Sequence, residues 1–291
     1  MSSPYSELCI LDVATNGIGK KQIKLSSESL QEHIQLQEVS SDSDRTLWQI
    51  CRTQSETTEA LLLLRCRVSH PILEKVRVLF NQFQDRYELD LKDMLISVLD
   101  DTGDLFLRLP KRKDDGMLET LRRSFNWKTL KELSSAQIKP FGADIIYSFD
   151  PDLSGLSTWA KNKVQANTEL KTYLKSCGIL LISPWALIAD STPTRIKNAW
   201  ERCGDGDLVL KDIESLHSSY LKQYKQAKEL YKKSTGKISG WVPDSSFLSS
   251  LKPPQKDRNG LLALDKAIRQ YLAGTSFTRQ FEEGEESQIE N

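Results

Sequence analysis

The stretch that decides the fold runs from Phe149 to Trp200 and reads FDPDLSGLSTWAKNKVQANTELKTYLKSCGILLISPWALIADSTPTRIKNAW. It opens with an Asp-Pro turn and continues in segments whose apolar residues recur every three or four positions. That spacing is typical of amphipathic helices. We therefore predict an all-α fold, a multi-helix bundle that includes a helix-turn-helix-like pair and a basic helical arm.

The first helix after the turn is predicted over residues 156–176. Its apolar side carries Val164, Leu170 and Leu174, together with the aromatic residues Trp159 and Tyr173. Gly178 follows, as glycine often does where a helix ends in the left-handed conformation. The polar residues fall mostly elsewhere on the wheel: Lys161, Lys163, Gln165, Asn167, Lys171 and Lys175.

Two short helices are predicted next, each opened by the same device. Ser183-Pro184 and Thr192-Pro193 each place a capping hydroxyl before a proline in the first turn. Short helices around a small-residue turn have the outline of a helix-turn-helix, although two simply packed helices fit the pattern too. Side chains that reach phosphates and base edges are predicted to point outward here: Thr194, Arg195, Lys197, Asn198 and Arg202.

A longer basic helix is predicted over residues 208–234. Tyr220, Tyr224 and Tyr231 share one face, with lysines alongside. The pattern fits either a surface for base stacking and phosphate contact or an ordinary amphipathic helix. Lys232 and Lys233, near its end, are included among the candidate DNA-binding residues.

Total charge is balanced but its distribution is not. Lys+Arg and Asp+Glu each number 40 among the 291 residues. Residues 158–237 carry fourteen Lys or Arg against eight Asp or Glu, whereas residues 275–291 carry one Arg against five Glu. A basic middle followed by an acidic tail predicts a polyanionic partner for the middle segment.

The turn at Phe149-Asp150-Pro151 is called the FDP turn below. The chain before it is predicted to be a helical scaffold. Ile72, Val76, Leu79, Phe80 and Phe83 share one helical face, and Pro71 is expected to break or begin that helix. Residues 9–13 could form a short strand. Further helices are expected at 29–36, 89–99, 117–125, 130–147 (interrupted by Pro140), 245–251 and 261–272.

These elements are grouped into four parts. Residues 1–55 are predicted to be a loosely ordered arm and 56–177 a helical core. Residues 178–252 hold the helix pair and basic arm, and 253–291 a linker, a short helix and the acidic tail.

The sequence argues against several chemistries. Five cysteines and three histidines show no zinc-ligand spacing, and the chain has no phosphate-binding or nucleophile-elbow motif. Asp100-Asp101-Thr102-Gly103-Asp104 reads as a turn rather than a metal site, and His70 as a structural residue. We predict no enzyme, no metal and no cofactor. Without a signal pattern or a long apolar run, we expect a cytoplasmic protein with no membrane partner.

Several segments resemble the conserved core of bacterial sigma factors, and more narrowly a divergent group of cyanobacterial sigma-factor-like proteins. The resemblance lies in the order of short motifs, which together span most of residues 60–251: Leu64–Ile72, Val98–Asp101, Ile145–Pro151 followed by Leu156–Ala160, Ser183–Asp190 and Tyr220–Gly240. It implies a transcription protein whose partners are promoter DNA and the RNA polymerase core.

Carried over residue by residue, the resemblance implies that Trp159, Lys161, Lys163 and Gln165 face DNA and that residues 130–147 meet the polymerase. The chain departs from the family by offering only Trp159 and Tyr173 as aromatics in that helix. A second hypothesis is therefore a protein-interaction module or polymerase regulator without DNA contact, in which a regulatory protein or the chain's own acidic tail covers the basic arm.

Overall fold

The computed structural model describes residues 4–12, 17–24, 41–85, 87–112, 118–133, 139–206, 208–237 and 240–274. It divides into two compact units, Met1–Leu170 and Lys171–Asn291. The predicted helix at 29–36 and the predicted acidic tail lie outside the described residues. Among the described residues, no helix is long and apolar enough to cross a bilayer.

The first unit contains two hairpins and six complete helices within its described part. The strands are β1 (Glu7–Asp12), β2 (Gly17–Gln22), β3 (Phe106–Arg112) and β4 (Leu118–Ser124). The helices are α1 (Ser41–Thr53), α2 (Thr58–Phe83), α3 (Leu91–Ile96), α4 (Trp127–Glu132), α5 (Phe141–Tyr147) and α6 (Leu156–Ala166). The fold is thus mostly helical, and the prediction of an all-α protein is corrected by the two hairpins.

Helix α2 is the centre of this unit, and β1, α1, α3, α5 and α6 all pack against it. Its buried side chains include Leu64, Ile72 and Val76, and they are distributed around most of the helix rather than along one stripe. The predicted break at Pro71 is wrong, because α2 continues through that residue. Burial on several sides of the helix offsets the backbone hydrogen bond that proline removes.

The amino-terminal segment differs from the loosely ordered arm that we predicted. Strands β1 and β2 pair antiparallel, from Glu7 opposite Gln22 to Asp12 opposite Gly17. The hairpin is fixed to α2 because the Cys9 backbone N–H donates to Ser69 Oγ at 2.9 Å, while His70 Nε2 lies 2.9 Å from the Glu7 carbonyl oxygen. Helix α1 also packs on α2.

The predicted helix at 117–125 is also wrong, since residues 118–124 form β4, paired antiparallel with β3. The physical reason is cross-strand pairing, which a short segment of mixed polarity does not reveal. The predicted helix 130–147 is divided into α4 and α5, as the interruption at Pro140 suggested. Asp100 Oδ1 accepts from the Phe141 N–H at 2.9 Å and so holds the start of α5.

The predicted helix 156–176 is two helices, α6 and α7 (Thr168–Ser176). They are separated at Asn167, whose Oδ1 accepts from the Leu170 N–H at 2.8 Å and caps α7. The division between the two units falls inside α7, ahead of the predicted boundary at 177/178.

The second unit is a helical cluster formed by α8 (Pro184–Asp190), α9 (Pro193–Cys203), α10 (Leu210–Thr235), α11 (Ser245–Ser250) and α12 (Asn259–Ala273). Helices α8 and α9 pack against both α10 and α12. Both predicted N-caps are confirmed: Ser183 Oγ accepts from the Ala186 N–H at 3.3 Å and Thr192 Oγ1 from the Arg195 N–H at 3.2 Å.

A buried ion pair ties α12 to the segment that precedes α8. Arg269 Nε donates to Asp265 Oδ2 at 2.8 Å, and both residues are almost completely buried. The Arg269 guanidinium also donates to the carbonyl oxygens of Leu180 at 2.9 Å and Ile182 at 2.6 Å. The 179–182 connector is therefore held by side-chain hydrogen bonds rather than by strand pairing.

His217 joins α10 to the end of α8, because its Nε2 lies 3.1 Å from the Ile188 carbonyl oxygen and the ring is buried. Burial lowers the pKa of this imidazole, which disfavours the charged form in the folded state. As pH falls below about 6.5, the unfolded chain takes up a proton that folded His217 resists, so stability is lost as the pH decreases towards the folded pKa.

We expect the thermal midpoint of the second unit to decrease as the pH is lowered from 7.5 to 5. In His217→Gln, the midpoint should depend less on pH over this range. Differential scanning calorimetry of both proteins across this range measures the effect. Carboxylates titrate in both proteins, so their contribution cancels when one pH curve is subtracted from the other. Parallel pH curves for the two proteins would show that His217 contributes nothing to the pH dependence.

Candidate nucleic-acid interface

The FDP turn is pinned to α1 by a single arginine. An Arg45 Nη donates to the Pro151 carbonyl oxygen at 2.8 Å, and the guanidinium pairs with Asp152 at 2.9 Å. Asp150 Oδ1 accepts from the Asp152 N–H at 3.0 Å, which confirms the predicted turn. The turn is therefore set by its own side chains and by a residue about 100 positions earlier.

This turn forms one wall of a cavity of about 690 Å³, which we call the aromatic basin. Its other walls come from α1, from α4 and from the end of α5. The residues that line it are Arg45, Trp48, Gln49, Arg52, Trp127, Lys131, Tyr147, Ser148, Phe149, Asp150, Pro151 and Asp152. The first unit thus brings four aromatic rings from three separate parts of the chain to one site.

The rings of the basin pack mainly edge to face. Trp48 meets Trp127 at a centroid distance of 6.3 Å and Phe149 at 6.1 Å, with interplanar angles near 85°. Trp127 and Tyr147 lie 5.4 Å apart and are tilted by 37°. Tyr147 is the most open of the four, with 36% of its surface exposed, so it is the ring that a flat ligand can reach most readily.

Cations surround these rings. The Arg52 guanidinium lies 4.5 Å from the centre of the Trp48 ring, and Lys139 Nζ lies 4.5 Å from the centre of the Tyr147 ring. Lys131 lines the basin as well, whereas Arg45 is balanced by Asp152. The arrangement of aromatic faces and positive charge suits a ligand that is both planar and anionic.

A second cavity, of about 650 Å³, shares the walls formed by Arg52, Trp127 and Lys131. On its far side, Lys128 pairs with Glu56 at 2.8 Å. The Lys128 ammonium lowers the pKa of Glu56, and Glu56 raises the pKa of Lys128. The shared walls extend the basin into a longer concave surface.

Helix α6 does not present its four candidate residues on one face. Leu156, Ala160 and Val164 form the buried ridge, which leaves Trp159 and Lys163 on one flank and Lys161 and Gln165 on the other. Lys161 Nζ pairs with Glu74 Oε1 of α2 at 2.7 Å.

Trp159 and Lys163 form a pair of their own, because Lys163 Nζ lies 5.1 Å from the centre of the Trp159 ring. The Trp159 ring also meets Phe149 of the FDP turn at 6.4 Å. Of the four candidates on α6, these two are therefore connected to the basin through Phe149.

Helix α9 buries Ile196, Ala199 and Trp200. By helical geometry, Arg195 and Arg202 share one flank of this helix, Asn198 lies near the outward face, and Lys197 lies on the opposite flank. Lys197 Nζ is 4.0 Å from Glu201, Arg195 donates to the Asp190 carbonyl oxygen at 3.3 Å, and the Arg202 guanidinium lies 5.5 Å from the Tyr271 ring centre.

The tyrosine face of α10 is part of the core of the second unit. Tyr220 is buried, donates to the Trp185 carbonyl oxygen at 3.0 Å and stacks on Tyr224 at 5.4 Å. Phe247 closes on Tyr220 at 5.5 Å and Trp241 on Tyr224 at 5.1 Å. The base-stacking interpretation of this face is therefore wrong for Tyr220 and Tyr224, while Lys232 and Lys233 are exposed in the last turn.

A thiol and an imidazole come together elsewhere in the first unit, where Cys9 Sγ lies 3.6 Å from His70 Nδ1. The thiol is buried, and burial raises the pKa of Cys9, which disfavours the reactive thiolate. The contact therefore joins β1 to α2 and leaves the thiol in its neutral form. Among the described residues, no group of three or more His, Cys, Asp or Glu is placed to hold a metal ion.

No family model, curated protein or solved structure matches this chain.

Most of the basin was not predicted from the sequence. Trp48 and Arg52 lie in the segment predicted to be a loosely ordered arm, and Trp127 lies between the helices predicted at 117–125 and 130–147. Tyr147 lies two residues before Phe149, the first residue of the FDP turn, and this spacing is a local signal that could have indicated an aromatic site.

Proposed function

We propose that this chain is a sigma-factor-like transcription protein that binds promoter DNA and the RNA polymerase core. The observation that carries the proposal is the aromatic basin at the FDP turn. It supplies what the predicted helix 156–176 lacked, namely several aromatic residues at one site together with positive charge.

The chemistry of the basin favours unpaired bases over a closed duplex. A base exposes its flat face only when it is unstacked, and stacking on an aromatic side chain contributes about 1–3 kcal/mol per base. Arg52, Lys131 and Lys139 are placed to contact the phosphates on either side of such a base. The basin therefore fits a separated strand of DNA.

Tyr147→Ala is expected to weaken binding of a fluorescein-labelled 12-nucleotide single strand by about 5- to 100-fold at low salt, because one stacking partner is lost. Arg52→Ala is expected to weaken it too and to reduce the dependence on salt concentration by roughly one phosphate contact. Fluorescence anisotropy with the single strand and with the matched duplex measures both effects.

Two matched variants serve as controls. Tyr147→Phe keeps the ring and is expected to bind nearly as the unchanged protein does. Arg77→Ala removes an exposed arginine of α2 that does not line the basin, and it should leave affinity within about twofold. Equal affinity in Tyr147→Ala and the unchanged protein would refute the role of the basin.

The polymerase half of the proposal rests on the resemblance, which implies that residues 130–147 meet the polymerase. The described part of that range includes the end of α4 and all of α5, and both helices contribute to the basin. Co-purification of the full chain with core RNA polymerase, followed by transcription from a genomic fragment library, tests it. Absence of the chain from the purified polymerase would reject a sigma-like role even if DNA binding were observed.

A protein-interaction module without DNA contact is the second candidate. It is favoured by the neutralisation of several cations inside the first unit, where Lys161, Arg45 and Lys128 each pair with a carboxylate. The two functions are separated by measuring DNA binding with and without residues 275–291. Binding of no single strand or duplex in either form at low salt selects this second function.

A further inference from the structure

A separate cavity lies in the second unit and plays no part in the proposed DNA contact. It is about 690 Å³ in volume and lies between the carboxyl-terminal half of α10 and the segment that leads into and forms α11. Ala227, Leu230 and Tyr231 line it from α10, and Trp241, Val242 and Phe247 line it from the other side. We call this cavity the α10–α11 groove.

Apolar and polar side chains line the groove in equal number, and its apolar part is partly uncovered. Trp241 packs edge to face on both Tyr224 and Phe247, each at 5.1 Å, which fixes the indole as a rigid wall. Leu230 remains 59% exposed. An exposed leucine beside a half-buried tryptophan is an apolar surface that gains free energy when a partner covers it.

The shape of the groove is that of a slot for a helix. Gln223 Nε2 donates to the Ser250 carbonyl oxygen at 3.0 Å and so joins the end of α11 to the middle of α10. Beyond Gln223, α10 continues to Thr235, about 18 Å further at the usual rise per residue. Ala227, Leu230, Tyr231 and Ser234 follow each other on one face of that length, which matches about three turns of a partner helix.

The net charge around the groove is positive and favours an acidic partner. Residues 222–250 carry six lysines against two acids, Glu229 and Asp244, and Asp244 is one of the lining residues. Helical geometry places Lys222 and Lys233 on the flank next to Leu230, and the other lysines raise the positive potential behind it. Within the described part of the chain, none of these lysines is paired with a carboxylate.

We propose that the α10–α11 groove binds an amphipathic helix of a partner protein, with apolar anchors against Leu230 and Trp241 and acidic residues against Lys222 and Lys233. A base could stack on Tyr231 or Trp241, but among the described residues no lysine or arginine lines the groove to hold its phosphates, and the aliphatic part of the lining contributes nothing to a nucleic acid. The groove therefore favours a protein over a nucleic acid. This interaction is independent of the aromatic basin and of DNA binding.

The test uses the full-length protein and a designed, fluorescein-labelled 16-residue helical peptide. The peptide carries leucines at positions i, i+4, i+7 and i+11 and glutamates on the flanks. We expect it to bind, and Leu230→Glu to weaken binding by about tenfold or more, because a charge replaces the central anchor. Lys233→Glu should bind the glutamate peptide more weakly than the unchanged protein does. A version of the peptide with lysines on its flanks should show the reverse, binding Lys233→Glu more tightly than the unchanged protein.

The matched control is Leu221→Glu, since Leu221 is 36% exposed on the opposite face of the same helix. It should bind the peptide within about twofold of the unchanged protein. Circular dichroism and the thermal midpoint check that each variant remains folded.

Three results would overturn the proposal. Equal peptide binding by Leu230→Glu and Leu221→Glu would place the peptide elsewhere. Binding only after removal of residues 275–291 would make the chain's own tail, with Phe277, Phe281 and the following glutamates, the occupant. A single-stranded oligonucleotide that binds more weakly to Leu230→Glu, together with no binding of either peptide, would assign the groove to nucleic acid.

Discussion

Arg269→Met is expected to lower the free energy of unfolding of the second unit by about 3–5 kcal/mol. The substitution leaves the Asp265 carboxylate buried without its cation and removes the donors to the carbonyl oxygens of Leu180 and Ile182. Burial already raises the pKa of Asp265, against the opposing effect of Arg269, so the variant must either bury an unpaired charge or protonate the carboxyl group. Chemical denaturation followed by tryptophan fluorescence measures the loss.

The pH dependence gives this prediction a second readout. Without Arg269, the Asp265 pKa rises further in the folded state, so the deficit of the variant should shrink as pH falls and Asp265 becomes neutral. The double variant Arg269→Met, Asp265→Leu should recover part of the loss, because it removes the orphaned carboxylate. A single variant as stable as the unchanged protein at pH 7 would contradict the structural role of the pair.

Arg65→Met is expected to have a similar effect, about 3–5 kcal/mol, on the first unit. The Arg65 guanidinium donates to both oxygens of Asp101, one of them from Nε at 2.7 Å, and to the Asp104 carbonyl oxygen at 2.8 Å. It also lies 3.9 Å from the centre of the Phe125 ring. The variant leaves the Asp101 carboxylate buried without its cation and removes the hydrogen bond that holds the turn leading into β3.

Hydrogen exchange distinguishes this outcome from a loss confined to the surface. In Arg65→Met, amides of α2 and of the β3–β4 hairpin should exchange faster, because Arg65 is a shared contact of both. Lys75→Met, a half-buried lysine of the same helix, is the matched control and should change stability by less than about 1 kcal/mol. Unchanged exchange in Arg65→Met would show that the guanidinium is dispensable.

The parts of the fold that the sequence predicted well are those set by local chemistry. The hydroxyl-proline pairs at Ser183 and Thr192 open helices because a side-chain oxygen and a preset backbone angle act within three residues. The Asp150 turn follows for the same reason. The amphipathic pattern of α10 also indicated its buried face, which left its lysines in solvent.

The parts that it predicted poorly depend on distant partners. Strand β4 looked like a helix because only its pairing with β3 decides its conformation. Asp101 was correctly placed in a turn, since its Oδ1 accepts from the Gly103 N–H at 2.8 Å. Its second role, as the counter-ion of Arg65, requires a residue 36 positions away, which no local pattern reveals.

The candidate site shows the same division. Lysines and arginines of α6 and α9 were identified by residue type, but their distribution over two flanks of each helix follows from which neighbours bury the ridge between them. The aromatic basin was not predicted, because Trp48, Trp127 and Tyr147 are far apart in the chain and meet only when α1, α4 and α5 come together beside the FDP turn.

The anchoring of the FDP turn by Arg45 has a practical consequence for anyone who shortens this protein. A version trimmed to begin at residue 56 keeps the segments that resemble a sigma factor, yet it loses the clamp on Pro151 as well as the indole of Trp48 and the guanidinium of Arg52. If such a fragment did not bind DNA, the cause would be the loss of part of the aromatic basin rather than a wrong choice of ligand.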